Sequence, residues 1–446
     1  MSGGVPFGFT PPGDGDDANG PGGTPNPFGG PGGFDMSQLG EALQQLGRMM
    51  ASGGGPDAGP VNWDLASDGA RTLVAAEGDP SVTSLERREV EQALDLASMW
   101  LDPATSFPAT TSGGGAWSRS EWIEATLPSW RRIVEPVAAR ANESMAALMP
   151  QGQLPEGLPP ELAQMAGPLM GMARQMGAFM FGSQLGEALG TLSGEVLGAA
   201  DVGVPLTDDG RAFLLPRNVS AFGAGLGIPD DEVRLYVALR ESAAQRLFVH
   251  VPWLRSQLTA AVEAYAAGIR LDQSKIEEAA RGVDPTDPAS LQEAIASGVF
   301  VPDDTPEQTA ALARLETLLA LVEGWIDDVV THAAAGRLPA AERLREAMRR
   351  RRATGGPAER TFATLVGLEM RPRRLREAAQ LWDAIRETRG AEGRDELWGH
   401  PDLLPHAEDL DGDDAIAAFV ERSKPLDLSE LDATPPAPEP GPEPEA

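Results

Sequence analysis

From Asp230 onward, Val233, Tyr236, Val237, Ala244, Leu247 and Val251 recur at spacings of three and four, and Arg240 falls on the same stripe. This periodicity predicts a helix that turns one line of side chains toward a core and ends at Pro252. A guanidinium on an inward stripe narrows the folds open to the chain. It cannot discharge by losing its proton, and an unpaired buried charge is very costly, so some other element must bring a carboxylate to it.

The rest of the chain reads as mainly α. Few runs of alternating β-branched or aromatic residues suggest strands, and helix signals recur. Thr83 and Glu86 form a capping-box pattern opening a helix with Val90, Leu94 and Leu96, closed by Asp102-Pro103. Trp117, Trp122 and Trp130 sit in a further amphipathic region and are expected to anchor packing. Glycines 182, 186, 190, 194 and 198 leave one helix face almost bare. Such a face lets another helix approach closely, and that contact must recover roughly 1 kcal/mol of lost helix propensity per Gly. Arg174, Gln184, Glu187 and Glu195 interrupt the segment, so an internal helix pair is expected and a membrane span is not.

Four parts follow. Residues 1–35, rich in Gly, Pro and Asp, are expected to be a disordered leader, and 36–60 a short helix (Met36 to Met50) and linker. Residues 61–425 form the helical globular domain, and 426–446 an acidic tail rich in Pro and Glu. The N-terminus has neither a basic start nor an apolar run, so no signal peptide is expected. The chain has no Cys, which removes disulfides, thiolate metal sites and thiol nucleophiles and suits a reducing cytoplasm. A net charge of -31 opposes general attraction to nucleic acid or anionic lipid. The dense arginines between 343 and 376, including Arg349 to Arg352, Arg371, Arg373, Arg374 and Arg376, have no interleaved aromatic residues. They read as a solvated or salt-bridged face.

The helix around Arg240 also has the layout of an H-E-x-x-H metal helix. There, two His one turn apart hold zinc, and the Glu beside the first activates water. Here those positions carry Arg240, Glu241 and Ala244, so the candidate base is present and both imidazoles are missing. A second helix, reading L-V-E-G-W-I-D-D-V-V, offers Glu323 and Asp327 at a spacing of four. In gluzincins an acid so placed completes the zinc tetrahedron, and an Asp four residues on orients a His ligand. Either acid could equally pair with Arg240.

Taken together, V-R-L-Y-V-A-L-R-E-S-A-A-Q-R-L-F-V-H-V-P-W-L, L-V-E-G-W-I-D-D-V-V, T-F-A-T-L-V-G-L-E-M-R-P-R-R-L-R-E-A-A-Q-L-W and G-R-D-E-L-W-G-H-P-D-L-L-P resemble the actinobacterial zincin-like proteins known as hydrolases or zinc-dependent metalloproteases. The resemblance implies a zincin-like multi-helix domain, a zinc cofactor, Glu241 as the catalytic Glu and Glu323 as the downstream ligand. Arg240 and Ala244 depart from the ligand positions. Only His250, His332, His400 and His406 could stand in, and His250, six residues past Ala244, would need a rearranged helix end to join Glu241 and Glu323 around one ion. Two readings stay open. One is a metallohydrolase or peptidase with Glu241 as base and a metal on Glu323. The other is a non-catalytic protein that binds a protein or peptide beside Trp253 and Trp325, with an Arg240-carboxylate pair in place of the metal.

Overall fold

A computed structural model describes residues 59–110, 113–148, 160–268, 305–353 and 374–424. The leader, the Met36 to Met50 helix, the acidic tail, and Arg371 and Arg373 lie outside these residues. The fold is mainly α. Its helices are α1 (Trp63–Glu77), α2 (Ser84–Leu101), α3 (Arg119–Leu148), α4 (Pro160–Glu195), α5 (Pro216–Gly223), α6 (Asp230–His250), α7 (Pro252–Ala267), α8 (Pro306–Ala334), α9 (Ala341–Ala353), α10 (Leu375–Glu396) and α11 (Asp413–Arg422).

Local chemistry sets several of these ends. Thr83 and Glu86 close the expected capping box on α2, whose C-cap is Asp102. Thr305 and Gln308 close another on α8. Asp230, Asp231 and Glu232 occupy the first turn of α6, where the helix dipole favours acids. Pro252 ends that helix and begins α7 at a position where its missing N–H costs nothing.

The glycine face of α4 packs on α1. A Cβ at Gly182 would stand 2.5 Å from the Asn62 carbonyl oxygen, and one at Gly186 would stand 2.8 Å from that of Ala66. The repeat does not run its full length as a helix face, because α4 ends at Glu195 and Gly198 lies beyond it. Trp117 likewise precedes α3 and stacks on Phe213 with ring centroids 3.6 Å apart, whereas Trp122 and Trp130 are fully buried.

Two short strands, β1 (Gly115–Ala116) and β2 (Phe213–Leu214), pair in parallel, and Leu214 also bridges antiparallel to Gly198. This small sheet pins the chain just after α4 against the middle of the molecule. At the centre runs α6, more deeply placed than a one-sided stripe implies: every residue from Leu235 to Phe248 is buried. The neighbouring α8 is buried almost as completely. Gly324 lets α10 approach it, since a Cβ there would meet Ala378 at 2.8 Å.

The α1–α4 contact generates a direct test. Gly186→Val should cost about 1–3 kcal/mol by overpacking. Gly171→Ala on the same helix, where a Cβ meets nothing within 4 Å, should be neutral or stabilising by up to about 1 kcal/mol. Urea unfolding of both variants checks this, and equal effects would contradict the close approach.

Candidate functional site

Four segments converge on one centre. The buried helix α6 contributes Arg240, Glu241 and Ala244, the chain after α4 contributes Gly198, Ala200 and Asp201, α8 contributes Glu323, and α9 contributes Arg352. They enclose a void of about 20 Å³, roughly the space of one water molecule. Above it a cleft of about 250 Å³ is lined by Arg240, Glu323, Asp327, Met348, Arg349 and Arg376, among others.

The structure brings Arg240 and Glu323 into contact. Arg240 Nη2 donates to Glu323 Oε2 at 2.5 Å, and the two side chains are only 9% and 8% exposed. The other oxygen of Glu323, Oε1, lies 2.8 Å from Arg352 Nη2. Asp201 draws in two more guanidinium contacts, Arg351 Nη2 at 2.8 Å and Arg352 Nη2 at 3.2 Å, and accepts the Leu197 N–H at 2.9 Å. Burial alone would raise the Asp201 pKa, but the charges of Arg351 and Arg352 outweigh it and hold this carboxyl well below its usual range. Burial likewise opposes the charge on Arg240, and the charges of Glu323 and Asp327 overcome it. Tyr236, one turn earlier on α6, is pushed up to about 12 by burial.

Asp327 is turned to a neighbouring task. It is held by Arg345 at 2.7 Å and Arg349 at 2.8 Å, both on α9 one turn apart, and its direct partners do not include Arg240. His250 does not join the centre. It stands at the far end of α6, its Nδ1 2.8 Å from the Arg246 carbonyl oxygen and its ring stacked on Phe107 at 5.7 Å. Trp325 is core, with its indole N–H donated to Asp395 at 2.8 Å, so no open groove runs beside it. The indole of Trp253 donates to the Trp398 carbonyl.

Glu241 lies inside the centre without an arginine. Its Oε2 accepts the Ala200 N–H at 3.0 Å and its Oε1 the Gln245 side-chain amide at 2.9 Å. Only glycine fits at 198, where a Cβ would come within 2.4 Å of Glu241 Oε2. Burial pushes the Glu241 carboxyl up to about 7 against those two hydrogen bonds, with the Asp201 charge adding to the rise.

The donors present do not suit a zinc ion. A guanidinium stays protonated and offers no lone pair, and Ala244 offers no donor. Both oxygens of Glu323 already face guanidinium nitrogens. A second group of ligand type, Asp328, His332 and Asp383, has its atoms within 4.8 Å of one another. Arginines occupy it too: Asp328 faces Arg394 at 2.7 Å and Arg386 at 3.3 Å, and Arg386 also meets Asp383 at 2.5 Å. The hydrogen bond to Asp328 raises the His332 pKa despite partial burial.

Sequence reasoning passed over Asp201 and expected Arg352 on a solvated or salt-bridged face; the structure makes it salt-bridged, to Asp201 and Glu323. The signals were there: a lone acid within the apolar run A-A-D-V-G-V, and arginines at 349 and 352, three apart and so on one helix face.

Two outcomes follow from this geometry. Glu323→Ala strands Arg240 and should cost about 3–5 kcal/mol, while Arg240→Ala should cost less, because Arg352 still holds Glu323. Equal or negligible losses in denaturant unfolding would contradict the arrangement. The second concerns pH. The folded Glu241 keeps its proton where the unfolded chain, with the ordinary value of 4.5, has lost it. The stability this gives is fully present below about pH 4.5 and is lost as pH rises toward 7, a change on the order of 3 kcal/mol. Glu241→Gln should therefore flatten the fall in stability between about pH 5 and 8. A variant curve parallel to that of the native protein would show that burial does not hold this proton.

The sequence model of the zincin-like metallopeptidase family matches residues 61–417. Among solved structures the chain is similar to a candidate hydrolase with a novel fold from Chloroflexus aurantiacus. The TM-score is 0.56 and the identity 18%, with 81% of this chain and 98% of the other covered. At that identity the likeness concerns the fold. No curated protein matches the chain in sequence. With more than half its length matched by that model, the chain belongs to the zincin-like metallopeptidase family.

Proposed function

We propose that this chain uses the zincin-like frame as a binding module for a protein or peptide, with the Arg240-Glu323 pair in the place of a zinc site. The observation that carries this reading is the double use of Glu323: its two oxygens meet Arg240 at 2.5 Å and Arg352 at 2.8 Å. A metal would have to displace two charge-assisted contacts in a buried setting, and no imidazole lines the centre to compensate. The cleft above mixes both charge signs with the apolar Met348 and Leu375, a lining suited to a polypeptide segment. Most of the arginine run is spent on Asp327, Glu346, Asp201 and Glu323, which supports a protein ligand over a nucleic acid. No helix among the described residues is long and apolar enough to cross a membrane, and the absence of Cys supports a cytoplasmic setting.

A second reading, hydrolysis with Glu241 as general base, is favoured by one observation. This carboxyl is pushed up to about 7 beside a void of about 20 Å³ lined by Asp201 and Arg352.

Metal analysis of full-length protein purified without added zinc separates the two. The binding reading expects substoichiometric zinc and a melting temperature unmoved by chelator or added zinc, because an ion that binds only the folded state would raise it. Stoichiometric zinc that is lost in Glu323→Ala overturns it. Peptidase activity abolished by Glu241→Gln would establish the hydrolytic reading.

A further inference from the structure

A second cavity, of about 320 Å³, shares no lining residue with the centre and its cleft. It opens between α3, α7 and α8, with walls of Ile133, Val204, Pro205, Leu258, Val262 and Leu315. This size lies at the lower end of ordinary small-molecule sites, and apolar walls with a few convergent polar groups are their usual make-up.

The polar groups gather at one end. Arg132 Nη2 lies 2.9 and 3.0 Å from the two oxygens of Asp208, and Arg255 Nη1 lies 2.7 Å from Asp208 Oδ1. Arg255 is also fixed by the carbonyls of Pro205 at 3.1 Å and Thr207 at 2.7 Å, so its guanidinium is held in place at the wall. Two guanidinium groups thus share one carboxylate, and that carboxylate is 61% exposed at the rim. Partial burial, together with the charge of Arg132, lowers the pKa of Arg255 despite Asp208. The neighbouring Asp209 faces Arg211 at 3.8 Å. Glu263 also lines the cavity, two helical turns beyond Arg255 and about 12 Å further along the axis of α7, away from the Asp208 end. Next to Asp208, the Thr207 hydroxyl is buried without a hydrogen-bond partner among the described residues.

In a chain of net charge -31, a local surplus of positive charge at the mouth of an apolar cavity is not explained by overall composition. We propose that this cavity binds a small amphiphilic carboxylate, with its head on Arg132 and Arg255 and a medium-length apolar chain between Leu258, Val262 and Leu315. A planar carboxylate can accept from both guanidinium groups at once. The apolar walls exclude a bare inorganic anion as the natural occupant, since most of the cavity would be left unfilled by polar contacts.

Octanoate titrated into the full-length protein by calorimetry tests this, with 1-octanol and inorganic phosphate as comparisons. The expected result is saturable one-site binding of octanoate, with octanol and phosphate each weaker by about tenfold or more. Arg132→Ala, at a side chain exposed enough to leave the fold intact, should weaken octanoate by about tenfold, the scale of one charge-assisted contact. Val262→Trp, which fills the cavity, should abolish binding. The proposal is overturned by non-saturable octanoate binding, by octanol or phosphate binding as tightly as octanoate, or by octanoate affinity unchanged in both variants.

Discussion

The buried contact between the Arg240 guanidinium and the Glu323 carboxylate is the constraint around which the other elements of the centre are arranged. Each partner sits on a helix buried on nearly every side, so each would be ruinous alone. Taking both from water costs several kcal/mol per ion, which a single contact barely offsets. The structure recovers more by sharing. Glu323 takes a second arginine, Arg352 reaches on to Asp201, and Asp201 receives Arg351 and a backbone N–H. The result is a chain of charge-assisted hydrogen bonds linking α6, α8, α9 and the segment after α4, in which no carboxylate relies on one partner.

The same logic organises the rest of α8. Three of its acids reach neighbouring helices: Glu323 to α6 and α9, Asp327 to α9, and Asp328 to Arg386 and Arg394 of α10. Arg394 is wholly buried, stands over Trp325 at 5.4 Å, and also holds Asp395, whose other oxygen accepts from Thr105. One helix therefore fixes the register of its neighbours through directional contacts, which apolar packing alone specifies less sharply. Glu241 is the exception. It gains no arginine, and burial instead pushes its carboxyl up to about 7, so that it exchanges its proton near neutrality within a charged surrounding.

Much of the fold was legible from local rules. The capping box at Thr83 and the break at Pro252 are encoded by residues that act within one turn, and the glycine spacing foretold a close helix contact because bare backbone offers nothing else to pack. Arg240 on its stripe announced the need for an acid, and the spacing of Glu323 and Asp327 named the two candidates. What failed did so for a physical reason. The stripe suggested a one-sided helix, but the run Leu235–Phe248 is surrounded on all sides, and burial of Glu241 and Arg246 depends on partners from distant elements. His250 is close to the motif in sequence, yet a helix carries it more than a turn past Ala244 and onto Phe107.

By itself the sequence determined the helical class, several helix ends, the absence of thiol chemistry, and a central helix carrying Arg240 and Ala244 where a zinc helix carries imidazoles. Only the tertiary structure decided which acid Arg240 meets, that Arg352 and Asp201 complete the centre, and that Asp327 serves Arg345 and Arg349 instead. The division follows from range. Capping, periodicity and residue chemistry act within a few residues, whereas the partner of a buried charge is chosen by whichever elements the packed core brings within about 3 Å of it.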